Sequence, residues 1–219
     1  MLGELHVYDD LEPKSAALNM AIDEALLTDA AAPILRFYRW RQPSLSFGYF
    51  GLYAEAARQA NEREIVRRWT GGGIVPHGDD LTYSVIIPKA NPFLAKSSLE
   101  IYASVHDAIR RALESNNIAA ALVNEAAPKT SDHCFANAVR ADLMSAGRKI
   151  AGAAHRRSRA GLLHHGSIQR HDLPDRFRRD LAATLCERYE TRSLSSELME
   201  RATLIAATKY GTPEWLRRR

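Results

Sequence analysis

The sequence predicts an α+β domain, and three observations carry that reading. Segments with apolar residues at helical spacing alternate with short β-rich runs. Glycine, proline and serine punctuate those runs at short intervals. No repeat, low-complexity linker or shift in composition divides the chain, so residues 1–219 are expected to form one domain.

The elements follow in order. Residues 15–29 place Leu18, Ile22, Ala25 and Leu26 on one helical face, with Ser15 as the N-cap. ILRFYRW (34–40) and SLSFGYF (44–50) are β-rich, and their connection through Arg41, Gln42 and Pro43 predicts a hairpin. A short helix near 54–62 precedes the strand EIVRRW (64–69) and the run Gly71, Gly72, Gly73. LTYSVIIP (81–88) is a strand stopped by Pro88, whose ring removes a ladder donor. Residues 98–115 carry Leu99, Tyr102, Val105, Ile109, Ala112 and Leu113 at spacings of three and four, the longest amphipathic helix, and IAAALV (118–123) reads as the strand after it. Beyond a polar loop with Pro128 and Cys134, the runs ADLMSAG, KIAGAAHR and GLLHHGSI predict strands turning at Gly147 and between Ser158 and Gly161. Helices near 174–186 and 195–207 lead to the basic tail WLRRR.

Composition narrows the function classes. With 46% hydrophobic and 26% charged residues the chain has the balance of a soluble globular protein, long enough to bury a core without staples. Two cysteines, Cys134 and Cys186, are too few for a disulfide framework and lack metal-ligand spacing, which points to a reducing, cytoplasmic compartment. No run approaches the ~18–20 apolar residues of a membrane span, and the first residues lack the pattern of a signal peptide. A net charge of +4 is too small to announce a nucleic-acid binder, and WLRRR has no recognition module around it.

Three segments could carry chemistry. In RRWTGGGIVPHGDDLTYS (67–84) successive glycines let a backbone approach a ligand closely, between the cation Arg68 and the titratable His77. The segment has neither the Lys-Ser/Thr ending of a Walker loop nor dinucleotide spacing; a glycine run alone is more often just a tight turn, and Arg68 and His77 are what favour a site here. In GRKIAGAAHRRSRAGLLHHGSI (147–168) Lys149 either neutralises a developing negative charge or is a solvated strand-end lysine. The small residues Gly152, Ala153 and Ala154 leave room for a substrate chain. Since neighbouring strand residues face opposite ways, at most one of His164 and His165 faces it. In SDHCF, Cys134 is either a buried inert thiol or a nucleophile activated by His133, Lys129 or Lys149. Cys186 falls on the apolar side of a helix and is expected to pack.

Taken together, ALNMAIDEALL, PILRFYRW, SLSFGYF, RRWTGGGIVPH, GRKIAGAAHRR and LLHHGS resemble, in order and over roughly residues 14–170, the lipoate–protein ligase and octanoyltransferase family, whose catalytic domain is related to that of biotin–protein ligases. The resemblance implies a mixed, mainly antiparallel sheet flanked by helices around an elongated acyl pocket. It implies transfer of an octanoyl or lipoyl group to one lysine of a lipoyl domain, in an E2 subunit of a 2-oxoacid dehydrogenase or the glycine-cleavage H protein. Lys149 is then the residue that meets the acyl carbonyl or adenylate. Arg68, Thr70, Gly71, Gly72, Gly73 and His77 line the site on one side, and Gly152, Ala153, His165 and Gly166 on the other. One branch takes octanoate from octanoyl acyl carrier protein through a cysteine thioester and requires no cofactor. The other uses ATP and Mg²⁺ to activate free lipoate or octanoate. Cys134 is followed by Phe and stands fifteen residues before Lys149, as in the cysteine branch, which is therefore slightly preferred. The run ANAVRADL lacks that branch's Pro-Ser, and Gly51 replaces a common glutamine. The implied pocket is lined by Ile74, Val75, Ile150 and Ala153, with His165 or His77 assisting the acceptor amine. A non-catalytic protein that binds a lipoyl ligand or partner is the alternative of another class; a biotin ligase is disfavoured because the Gly-Arg-rich biotin loop is absent.

Overall fold

The computed structural model describes residues 2–125, 138–170 and 172–218; Cys134, with Lys129, His133 and the loop expected around them, lies outside these. In chain order the strands and α-helices are β1 (Leu5–Lys14), α1 (Ala16–Asp29), β2 (Ile34–Trp40), β3 (Ser44–Phe47), α2 (Tyr53–Gln59), β4 (Glu64–Arg67), β5 (Val75–His77), β6 (Leu81–Pro88), α3 (Ser98–Ser115), β7 (Ala121–Leu122), β8 (Leu143–Ser145), β9 (Arg148–Arg157), β10 (Gly161–Ile168), α4 (Phe177–Leu185), β11 (Tyr189–Thr191), α5 (Ser196–Ile205) and α6 (Pro213–Leu216). This is the expected mixed α+β architecture, with a large, mainly antiparallel sheet flanked by helices.

That sheet has eight strands in the order β11-β1-β2-β6-β10-β9-β8-β7, parallel only where β1 meets β11 and β2. A second sheet holds β4-β3-β5. The expected hairpin between 34–40 and 44–50 does not form: β3 pairs in parallel with β4 and antiparallel with β5. After Arg41–Gln42–Pro43 the chain leaves the large sheet, because β2 already has β1 and β6 on its two edges. Strand β1 was not foreseen, and 118–123 contributes only the two residues of β7.

Alternation on the central strands sorts side chains onto two faces. One face, with Phe37, Tyr83, Val85, Ile87 and Leu162, packs against Val105, Ile109, Ala112 and Leu113 of α3 and Leu181 of α4. The capping box of Ser97 and Glu100 starts α3 where its periodicity predicts, and its first-turn Leu99 is exposed. The other face meets α1 through Tyr38, Ile86 and Leu163, and α5 covers α1 in turn with Leu198 and Ala202. Ser15 caps α1 by accepting from the Leu18 amide, and Ile22, Ala25 and Leu26 are buried as the spacing predicts, whereas Leu18 is half-buried. Asn19 and Asp23, one turn apart, are also fully buried.

Candidate active site

Strand register builds the site floor. On the α1 face, Gly152 of β9 lies opposite Ser167 of β10, Ser167 opposite Thr82 of β6, and Thr82 opposite Tyr38 of β2. At the usual strand separation this row spans about 14 Å, and its side chains grow from glycine to tyrosine. The adjacent row runs Ala154, His165, Ser84, Arg36. A narrow cleft opens over these rows, with about 380 Å³ of empty space when the adjoining solvent is counted, roofed by Met20 of α1, Trp40, and Ser46, Arg68, Val75 and His77 from the second sheet and its loop.

Lys149 stands behind the glycine end: it packs on Gly152 without itself lining this cavity, and it borders a separate cleft with Met144, Gly147, Arg148 and Gln169. Its side chain is 3% exposed, its Nζ lies 2.7 Å from Asp142 Oδ2, and it runs along β9 to Gly152. A methyl group on Gly152 would come within 2.6 Å of Lys149 Cε and 2.9 Å of Nζ, so the ammonium occupies the space a side chain would take. The solvated strand-end alternative is thereby removed.

The glycine run is pinned from both sides. Arg68 donates to the carbonyls of Gly71 (3.0 Å) and Gly73 (2.8 Å) and to Ser46 Oγ (2.6 Å). Gly72 has φ +88°, and a methyl group there would sit 3.2 Å from Ala154 Cβ and from the Arg68 guanidinium. A Cβ on Gly48 would strike the Gly72 carbonyl at 2.0 Å, so the loop rests directly on the end of β3. Thr70 Oγ1 reaches His165 Nδ1 at 3.2 Å.

His165 and His77 each have both ring nitrogens engaged. His165 Nε2 meets Asp23 Oδ2 at 2.9 Å, and Asp23 also accepts from Arg36 (2.9 Å) and Ser84 (2.8 Å). Burial pushes the Asp23 carboxyl up, but Arg36 and His165 outweigh it and hold it below its ordinary value. Arg36, itself fully buried, also binds Asp10 and Asn19 and lies 4.3 Å from the Tyr38 ring centre. His77 bonds to Ser46 Oγ (2.6 Å) and Asp80 Oδ2 (2.8 Å) and stacks on Trp40 at 4.2 Å. Asp80 accepts further hydrogen bonds from Thr82, Ser167 and the Gly78 amide; burial would raise its carboxyl, but His77, Ser167 and Gly78 bring it down to about 2. Both imidazoles are thus built into the walls, each held between a hydroxyl and a carboxylate.

Of the residues singled out in the sequence, Arg68, His77, Gly152, Ala153, His165 and Gly166 border the cavity, with Val75; Thr70 and the glycines frame it from behind Arg68 and His165. Ala153 and Gly166 do so with backbone alone. The vacant side-chain position of Gly166 faces away and is filled by the Tyr83 ring, 2.1 Å from where a Cβ would lie. Ile150 packs in the α3-side core and Ile74 with Leu45 and Phe47, so neither lines the cavity as expected. His164 sits on the far face, as strand alternation requires. Sequence reasoning missed Met20, Tyr38 and Trp40, which look like ordinary core residues. It also missed Asp23 and Asn19, whose signal was a polar pair one turn apart on an otherwise apolar helix stripe.

Comparison with known proteins places this geometry. The lipoyl protein ligase A/B catalytic domain matches residues 15–203. Octanoyltransferase LipM of Oceanobacillus iheyensis is 39% identical over 165 residues, 71% of this chain and 60% of the relative, and that of Carboxydothermus hydrogenoformans is 39% identical over 165 residues, 70% and 61%. The chain thus spans about three fifths of the curated relatives it matches. Among solved structures, a lipoate-protein ligase A bound with ATP superposes with a TM-score of 0.75 at 22% identity, covering 99% of both chains. The bi-partite lipoate protein ligase of an archaeal lipoylation system from Thermoplasma acidophilum gives 0.74 at 21%, covering 98% of this chain and 96% of the other. These two likenesses concern the fold. A family match over residues 15–203, most of the chain, means that the chain belongs to the lipoyl protein ligase A/B catalytic-domain family.

Proposed function

We propose that this protein transfers an octanoyl group from a thioester donor to the acceptor lysine of a lipoyl domain. The observation that carries the reading is the position of Lys149 Nζ beside Gly152, at the end of the floor row opposite Tyr38. Two strand spacings, about 10 Å, separate Gly152 from Thr82, and the seven C–C bonds of an extended octanoyl chain reach roughly 9 Å. Burying its ~7 apolar carbons at ~0.8 kcal/mol each contributes about 6 kcal/mol before ordering costs. The chain lies along the row with its carbonyl beside Lys149.

There the ammonium stabilises the oxyanion of the tetrahedral intermediate, a charge that develops in a site already ordered to receive it. Asp142, Arg68 and the His77 and His165 networks hold the walls still, so little reorganisation accompanies the step. Cys134 supplies the thiolate in this reading: it attacks the donor thioester, expels the carrier thiol and forms an enzyme thioester, which the acceptor amine then attacks to give the amide and restore the cysteine. Its spacing from Lys149 and the octanoyltransferase relatives support this route. The acceptor is a lipoyl domain of an E2 subunit or an H protein, and a net charge of +4 speeds encounter with an acidic one.

The test combines purified lipoyl domain with the enzyme and either octanoyl carrier protein or octanoate plus Mg·ATP. Acylation from the carrier alone, lost in Cys134→Ser, is expected. Product only with ATP and free acid contradicts the thioester route, and no product from either donor favours a binding protein without turnover.

A further inference from the structure

Lys149 is held by a device that crosses the sheet edge. Asp142 is fully buried just before β8, and its carboxylate is shared among three donors: Lys149 Nζ at 2.7 Å and the Val139 amide at 2.7 Å on Oδ2, and the Tyr102 hydroxyl at 2.5 Å on Oδ1. Tyr102 comes from α3, and its oxygen also accepts the Ala153 amide of β9 at 3.0 Å. One turn further along α3, His106 Nδ1 meets the Ala141 carbonyl at 2.6 Å. The helix therefore grips both the backbone before Asp142 and its side chain. Ala141 has φ +68°, a conformation a non-glycine residue keeps only where its surroundings hold it.

The Tyr102 ring is itself fixed. It lies 4.2 Å from the His106 ring, 5.6 Å from His164 and 6.2 Å from His155, a cluster outside the cavity that the proposed chemistry does not use. Burial holds His106 down to about 4 despite nearby Asp142, and burial with Asp142's charge raises the Tyr102 phenol. At neutral pH the imidazole is uncharged and the phenol keeps its proton, so the hydroxyl remains a donor to Asp142.

We infer that Tyr102 is a positioning residue for acyl transfer: by fixing Asp142 relative to the Ala153 amide, it sets where the Lys149 ammonium stands over Gly152. The inference rests on the function proposed above for Lys149. Because an ångström of misplacement in a site of this kind costs about 100-fold, removing one hydroxyl outside the cavity acts on turnover rather than on substrate binding.

The experiment compares Tyr102→Phe, Asp142→Asn and the double variant in octanoyl transfer from carrier protein to lipoyl domain. In parallel, the rate at which an amine-reactive probe modifies Lys149 is read by peptide mass spectrometry. Tyr102→Phe is expected to lower kcat about 10- to 100-fold with KM within about twofold. The double variant should be no slower than Asp142→Asn, since both changes break one linkage. Lys149 labelling should accelerate severalfold in folded Tyr102→Phe, and in Asp142→Asn should the first variant fail to fold. Unchanged labelling in the folded variants, or additive losses of kcat, overturns the inference. If the unaltered enzyme transfers nothing, the proposed function fails while the labelling rates still decide the positioning.

Discussion

Gly152 and Gly166 stand in neighbouring strands and look alike in sequence, yet their missing side chains serve different ends. At Gly152 the space is filled by the far end of a flexible lysine; at Gly166 it is filled by an aromatic ring locked in the core. Gly152→Ala is therefore expected to leave the melting temperature within a few degrees while lowering transfer about 100-fold through displacement of Lys149, checked by thermal unfolding alongside steady-state kinetics. Gly166→Ala should do the reverse first, destabilising the fold by about 1–3 kcal/mol or more as the methyl group meets Tyr83, measured by denaturant unfolding. At this scale the sequence marked several residues that border the cavity and was silent about what each contacts. Small residues announce that something approaches closely; whether that is a lysine three positions away, as at Gly152, or a tyrosine 83 positions away, as at Gly166, is decided by the tertiary fold.

At the scale of elements, the periodicities placed α1, α3, β6, β9 and β10 within a few residues, because each carries its own caps, turns or alternation. Partner choice was less legible. The 34–50 region has the local look of a hairpin, but β3 pairs with strands twenty and thirty residues downstream, and the parallel strand β1 has no turn chemistry to announce it. The loop after β5 carries a prediction of its own. Asp80 titrates near 2 in the folded protein against an ordinary value of 3.8, so its contribution is present above about pH 4 and is lost as the pH falls toward 2. That loss amounts to about 2 kcal/mol, and denaturant melts at stepped pH should show it in the unaltered protein and not in Asp80→Asn, whose stability is lower at neutral pH.

Across the whole molecule, the second sheet and the C-terminal segment are joined by a buried arginine. Arg67 donates to the carbonyls of Trp215 and Leu216 as well as Tyr49 and Gly51, while the Trp215 indole donates back to the Arg67 carbonyl. Removing residues 212–219 should lower the melting temperature by about 4–8 °C, corresponding to about 2 kcal/mol from lost charged hydrogen bonds, as scanning calorimetry would show. None of the described helices is long and apolar enough to cross a membrane. The central claim concerns the opposite end of the cavity, where one ammonium meets the reacting carbonyl. Its most direct test is the intact mass of a lipoyl domain incubated with octanoyl carrier protein and either the unaltered enzyme or Lys149→Ala. The account predicts one added octanoyl group per domain with the former and a rate at least about 100-fold lower with the latter. Acylation by Lys149→Ala at the unaltered rate would contradict it.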